Sequence, residues 1–232
     1  MEQWTYFQEL ATLFEENGYH LYMVGGSTRD FLLHKESDDL DLTTNATPEE
    51  MLTFLKDAQT TFMRFGTLRL STSFGHVDIT TFRLEKGYED YRHPTKVEFV
   101  RELNVDAKRR DFTINAIYMD FNQNIIDPFS GQDDLAKGII KAIGDPYVRF
   151  KEDPLRILRA VRFAMLLHFD IEKETQLAMI QEKALILNMN PQKVEEEVRK
   201  MKKISSTQYL SFLEKYELLD VLELVIKKIE KI

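Results

Sequence analysis

The chain has 232 residues, 43% hydrophobic and 30% charged, with a formal net charge of −8 and no cysteine. That composition suits one large globular domain or two small ones, and it excludes a disulfide scaffold, zinc sites built on thiolates, and thiol chemistry. No apolar run has the length of a membrane span, and the start MEQWTYFQEL has no basic stretch followed by an apolar one, so the expectation is a soluble, cytoplasmic protein. The acidic total argues weakly against a general DNA coat protein and leaves room for a local basic groove.

In chain order, helical spacing covers residues 6–16. A strand over 20–24 runs into Gly25-Gly26, and a helix is expected over 28–33. Leu40 and Leu42 alternate with Asp39 and Asp41 as on a short half-buried strand. Thr47 before Pro48 predicts a capped helix over 48–58. The β-branched and aromatic runs 67–71 and 76–82, joined through Phe74-Gly75, predict a hairpin. Residues 97–100, 117–121 and 139–143 are further strand candidates. After Gly144-Asp145-Pro146 the pattern turns helical. Leu155, Leu158, Val161 and Met165 recur at three- and four-residue spacing, and helices are expected over 173–187, 192–203, 207–216 and 219–231. The expected fold is α+β: a head of mixed sheet and helices over 1–145, an all-helical neck over 146–204, and a partial helical body over 205–232.

Four constellations carry chemistry. Gly25-Gly26 ahead of a helix lets backbone approach an anion closely, although a glycine pair alone more often serves a plain turn. Asp39 and Asp41, two apart on a strand, share one face, and adjacent carboxylates call for a cation between them. Hard divalent ions favour such oxygen ligands beside substrate phosphates, and Asp78 on another candidate strand is a potential third ligand. Arg109-Arg110-Asp111 offers guanidinium forks for phosphate and a carboxylate for a ribose hydroxyl or an arginine; taken alone, the basic pair reads better as a solvated helix face. Asp153, Arg156, Arg159 and Arg162 form a slanting polar stripe on one helix. Taken alone, that stripe reads better as a salt-bridged surface helix than as a functional one.

Together these residues resemble a known family. Val24-Gly25-Gly26-x-x-Arg29-Asp30, Asp39-x-Asp41, Asp78-Ile79-Thr80-Thr81-Phe82-Arg83, Tyr91-Arg92-His93-Pro94, Arg109-Arg110-Asp111-Phe112-Thr113-Ile114-Asn115-Ala116, Asp127-Pro128-Phe129-x-Gly131 and Glu152-Asp153-Pro154-Leu155-Arg156 stand in the order found in class II tRNA nucleotidyltransferases (CCA-adding enzymes) and bacterial poly(A) polymerases. The likeness spans roughly residues 20–170 and covers the head and neck of that family. Its members usually continue through further helical body and tail domains, whereas this chain stops soon after the neck-like region.

The resemblance implies a nucleotidyltransferase head of polymerase β type. It implies template-independent addition of CMP, AMP or both, from CTP and ATP, to the tRNA 3′ end, releasing pyrophosphate. Asp39 and Asp41 are the implied catalytic and metal-binding residues, with Mg²⁺ or Mn²⁺ as cofactor. Gly25, Gly26, Arg29, Arg110 and Asp111 are implied nucleotide contacts. The neck helix is the implied template for the base: Asp153 accepts and Arg156 donates towards the Watson–Crick edge of cytosine or adenine, with Arg159 and Arg162 reaching for phosphates. Residues 85–96, with Tyr88, Tyr91, Arg92 and His93, match the family's flexible loop, which is tied to addition of the terminal A. Gln192-Lys193-Val194-x-x-Glu197 sits where the last neck motif has Glu-Arg-Ile-x-x-Glu; Lys193 replaces arginine and loses the planar fork. The implied partners are the tRNA 3′ end, CTP and ATP, with no membrane and no DNA. A poly(A) polymerase, a non-catalytic nucleotide- or RNA-binding homologue and a sugar transferase using Asp-x-Asp remain as alternatives.

Overall fold

The computed structural model describes residues 2–35, 40–88 and 94–229. The elements begin with α1 (Glu2–Glu16), β1 (Leu21–Met23), α2 (Gly25–Leu32), β2 (Leu40–Thr44), α3 (Pro48–Phe54), β3 (Thr67–Thr72) and β4 (Gly75–Thr81). There follow β5 (Arg83–Tyr88), β6 (Pro94–Phe99), α4 (Leu103–Arg109), β7 (Tyr118–Met119), β8 (Ile125–Ile126) and α5 (Gly131–Lys137). The rest comprises β9 (Ile139–Ile140), α6 (Pro146–Glu152), α7 (Leu155–Leu167), β10 (Asp170–Ile171), α8 (Lys173–Glu182), α9 (Pro191–Ile204), α10 (Tyr209–Lys215) and α11 (Leu219–Ile229). The chain forms two compact units, one of Met1–Glu85 with Lys96–Gln132 and one of Lys86–Thr95 with Asp133–Ile232. Among the described residues no helix is long and apolar enough to cross a membrane.

The first unit is a mixed sheet in the order β3-β4-β2-β1-β7-β8. β2 and β4 run parallel, and the other neighbours run antiparallel. Period-two alternation sorts each strand. Leu40 and Leu42 on β2, Leu68 and Leu70 on β3, and Val77 and Ile79 on β4 turn to one face, where Phe7, Leu10, Ala11 and Phe14 of α1 and Met51 of α3 close a core. The intervening Asp41, Arg69 and Asp78 therefore share the opposite face. Thr47 caps α3 through a reciprocal box with Glu50: Glu50 Oε2 accepts from the Thr47 N–H at 2.7 Å, and Thr47 Oγ1 from the Glu50 N–H at 3.3 Å.

The second unit is built around α7, whose Leu155, Leu158, Val161 and Met165 are all buried, as their spacing predicts. α9 and α10 pack on α7, α6 packs on α8, and α11 packs on α9.

Several elements differ from the sequence expectation. Helix α2 starts at Gly25 itself, so the glycine pair forms the helix's first turn instead of preceding it. Residues 85–88 and 94–96, expected in a flexible loop, lie in β5 and β6, which form a two-stranded sheet. The charged composition of β5 and β6 hides the strands, because described charges there pair as ions; Arg83 and Glu85 are such a pair, 2.8 Å apart, and Lys96 and Glu98 another, 2.5 Å apart. The strand expected at 139–143 shrinks to β9 and pairs in parallel with β10, inside the part expected to be all-helical. Helices α4, α5 and α6 are too short to show a period in the sequence.

The Asp127-Pro128-Phe129-x-Gly131 motif is explained by the start of α5. Asp127 accepts from the Gly131 N–H at 2.7 Å and the Gln132 N–H at 2.9 Å. A Cβ at Gly131 would overlap the Thr113 carbonyl, so the backbones meet only because position 131 lacks a side chain. Gly131→Ala is expected to lower the unfolding free energy in urea by about 1–3 kcal/mol, the usual cost of overpacking.

Candidate active site

Asp41 lies on β2 between two core leucines, and its side chain is exposed on the opposite face. Its backbone is held from two sides: its N–H donates to Ser27 Oγ at 2.8 Å, and its carbonyl accepts from the Val24 N–H at 3.1 Å. Both contacts come from the junction of β1 and α2. There Gly25 has φ +69°, a conformation that favours glycine. A Cβ on Gly25 would stand 3.5 Å from Asp41 Oδ2 and 3.9 Å from Arg110 Nη1. A carboxylate, a glycine backbone and a guanidinium thus gather at the start of α2. Asp39 lies outside the described residues.

Asp78 is the register partner of Asp41 across β2 and β4. Its two oxygens accept from Arg69 Nε at 2.6 Å and Nη2 at 2.7 Å, a bidentate pair formed across the β3–β4 register. The carboxylate considered as a third metal ligand is therefore engaged by Arg69. Among the described residues no three His, Cys, Asp or Glu side chains converge on a metal position.

The arginines divide by partner. Arg29 is 3% exposed; its Nε and Nη2 meet Asp30, and its Nη1 donates to Asn115 Oδ1 at 2.9 Å. Asn115 donates to Asp111 Oδ1 at 3.0 Å, and the same oxygen accepts from the Phe112 N–H at 2.8 Å. Arg29 and Asp111 thus tie α2 to the turn at Thr113–Asn115. Gly26 is close to Arg29: a Cβ there would stand 3.6 Å from Nη2.

Arg110 follows a different network. Its Nε donates to Tyr118 Oη at 2.9 Å and its Nη2 to Asp106 Oδ2 at 3.1 Å. Asp106 is fully buried and also accepts from Arg109 Nε and from the Tyr118 hydroxyl, each at 2.8 Å. Burial pushes the Asp106 carboxyl up, but Arg109, Arg110 and Tyr118 outweigh it and hold it at about 2. Burial alone would lower the Arg110 pKa; Tyr118 and Asp106 raise it above its ordinary value. Asp106, Tyr118, Asn115 and Ser27 were not singled out from the sequence as site residues. The spacing of Asp106, three and four residues before the two arginines, is the signal that could have found it.

In the second unit, Asp153 Oδ1 accepts from the Leu155 N–H at 3.0 Å, and Asp153 Oδ2 lies 3.9 Å from Arg156 Nε. Acceptor and donor stand side by side at the entry of α7. Arg156 is only 6% exposed, so the stripe is not a solvated face. Arg159 and Arg162 lie over the Phe163 ring at 5.4 and 4.3 Å. Arg162, expected to reach for phosphate, donates to Glu197 Oε2 at 2.7 Å, and Lys200 donates to Glu197 Oε1 at 2.7 Å. Burial raises the Glu197 pKa, but Arg162 and Lys200 hold it below the ordinary value. Lys193 reaches Glu196 instead, at 2.9 Å. α7 is therefore braced to α9 by Glu197 and Arg162, and the lysine at 193 takes no part. Tyr88 ends β5; Tyr91, Arg92 and His93 lie outside the described residues.

The Poly A polymerase head domain model matches residues 21–141 of the 232, more than half of the chain. The chain belongs to that family. Similar proteins extend the likeness past the family's head domain. The CCA-adding enzyme of Lactobacillus helveticus (strain DPC 4571) is 45% identical over 192 residues, 83% of this chain and 48% of that protein. The CCA-adding enzyme of Staphylococcus haemolyticus (strain JCSC1435) is 43% identical over 187 residues, 81% and 47% respectively. Among solved structures, the Bacillus stearothermophilus CCA-adding enzyme in complex with CTP superposes with a TM-score of 0.80 at 33% identity, covering 91% of this chain and 51% of that one. A tRNA nucleotidyltransferase complexed with a primer tRNA and an incoming ATP analog gives 0.74 at 29% identity, covering 91% and 61%. The chain spans about half the length of the curated relatives it matches.

The brace of α7 makes a contrast that urea unfolding can read. Glu197→Ala strands a half-buried guanidinium and is expected to cost about 3 kcal/mol. Lys193→Ala removes an exposed pair within one helix and is expected to change stability by less than about 0.5 kcal/mol.

Proposed function

We propose that the chain carries the nucleotidyl-transfer part of a tRNA CCA-adding enzyme, a transferase that moves CMP and AMP from CTP and ATP to the tRNA 3′ end. The observation that carries this reading is the placement of Asp41 Oδ2 and Arg110 Nη1 around the Gly25 turn, 3.5 and 3.9 Å from the position of a Cβ there. The names of the relatives, three CCA-adding enzymes and one tRNA nucleotidyltransferase, support it.

The donor chemistry fits a hard divalent cation. Asp41, with Asp39 two residues before it, offers carboxylate oxygens, the chain has no thiolate, and substrate phosphates complete such a shell. Mg²⁺ or Mn²⁺ held there supplies Lewis acidity towards the RNA 3′-hydroxyl and the α-phosphate. The protein's own groups do the rest. Gly25 admits the triphosphate close to backbone, Arg110 offsets its charge, and Arg29 and Asp111 hold that turn in shape. With Asp78 engaged by Arg69, the metal set is assigned to Asp39 and Asp41 alone. In the second unit, the Asp153 and Arg156 side chains present an acceptor beside a donor, which suits the Watson–Crick edges of cytosine and adenine, and Glu197 keeps their helix in place. The 3′-hydroxyl oxygen forms a bond to the α-phosphorus, the bond to pyrophosphate breaks, and no covalent protein intermediate is needed; catalysis rests on positioning and charge stabilisation.

The test uses Mg²⁺, labelled CTP or ATP, and three tRNAs ending before CCA, after C and after CC, resolved at single-nucleotide length. The expected products end in a defined CCA. Long A tails would move the reading to poly(A) polymerase, and CTP binding without incorporation would move it to a nucleotide-binding homologue. Asp41→Ala is expected to lower incorporation by roughly a thousandfold or more, while its exposed position keeps the change in stability within about 0.5 kcal/mol.

A further inference from the structure

Arg110 does not reach the Gly25 turn unaided. Two of its three nitrogens are committed behind it, Nε to the Tyr118 hydroxyl at 2.9 Å and Nη2 to Asp106 Oδ2 at 3.1 Å. The Tyr118 hydroxyl itself donates to that carboxylate oxygen at 2.8 Å, which closes a three-membered ring of hydrogen bonds. Asp106 and Tyr118 are both fully buried. The Tyr118 ring is fixed edge-on against Tyr22 and Phe82, with centroids 6.5 and 6.4 Å away. The second Asp106 oxygen accepts from Arg109 Nε at 2.8 Å and from the Arg83 N–H at 3.2 Å, so the carboxylate cannot turn away. The third nitrogen, Nη1, is the one that faces Gly25.

We propose that Asp106 and Tyr118 are a positioning pair that fixes the Arg110 guanidinium at the Gly25 turn and thereby sets how tightly the site grips a nucleotide triphosphate. This rests on the reading of Arg110 as a nucleotide contact. A long side chain held in one orientation before the ligand arrives loses less freedom on binding, which is where the affinity comes from. Neither residue touches the nucleotide; both act through Arg110.

A double-mutant cycle on CTP affinity, measured calorimetrically with Mg²⁺ present, separates this role from a structural one. Tyr118→Phe keeps the ring in its packing and removes only the hydroxyl. It is expected to weaken CTP binding about tenfold, the worth of one charge-assisted hydrogen bond. On an Arg110→Ala background the same change is expected to cost nothing further, within twofold. Asp106→Asn, which keeps the shape and removes the charge, is the second arm and follows the same pattern. CTP binding within twofold of wild type in both single variants overturns the pair, and so does an additive loss on the Arg110→Ala background. A ¹⁵N spectrum of the arginine Nε–H groups gives a readout that needs no nucleotide: a slowly exchanging Arg110 signal is expected in the wild type and is lost in Tyr118→Phe. If wild-type protein binds no CTP, the proposed function falls, and the pair is judged on that signal alone; its persistence in Tyr118→Phe overturns the pair, and its loss supports it.

Discussion

The chain turns from β1 into α2 through Gly25, whose backbone stands close to two opposite charges. Gly25 holds φ +69°, and Asp41 of the next strand and Arg110 at the end of α4 both approach it. A side chain there would be strained in its backbone, although its Cβ would stand at ordinary contact distance from the carboxylate. The neighbouring features serve this approach. Ser27 and Val24 hold the Asp41 backbone, strand alternation aims its side chain away from the apolar core, and Arg29 with Asn115 clamps α2 to the following turn. On the proposed function a polyanion comes near this carboxylate, which calls for positive charge placed just as firmly, and the buried Asp106 holds Arg110 there.

The two units apply one electrostatic device to different ends. In each, cations around a carboxylate removed from water hold its pKa below the ordinary value: Arg109 and Arg110 beside Asp106 in the first, Arg162 and Lys200 beside Glu197 in the second. Neither pair is strong evidence of stability, because desolvation offsets much of the attraction. Their value lies in orientation. One aims a guanidinium at a turn, and the other fixes the rotation of the helix that carries Asp153 and Arg156.

Elements with strong period or strong punctuation were legible in the sequence. The β3–β4 hairpin, the Thr47 cap, and helices α1, α7, α9 and α11 lie close to where their residues predict. Asp41 on a strand face followed from alternation alone. What escaped was anything decided by a partner distant in the chain. For Arg29, implied as a nucleotide contact, and Arg162, implied to reach for phosphates, sequence shows charge and not its partner; Asn115 stands 86 residues from Arg29, and Glu197 stands 35 from Arg162. Strand β5 looked like a loop because its charges pair with each other and with Arg109. Tyr118 looked like one more apolar strand residue, since nothing in a short strand says where its hydroxyl ends.

The central claim is that the carboxylate at the Gly25 turn holds a divalent cation together with a nucleotide triphosphate. Electron paramagnetic resonance of Mn²⁺, titrated with and without CTP in wild-type protein and in Asp41→Asn, tests it directly. The account predicts that CTP tightens Mn²⁺ binding in the wild type, and that the variant binds the ion at least about tenfold more weakly in its presence. Equal Mn²⁺ affinity in the two proteins, with CTP bound to both, would contradict it.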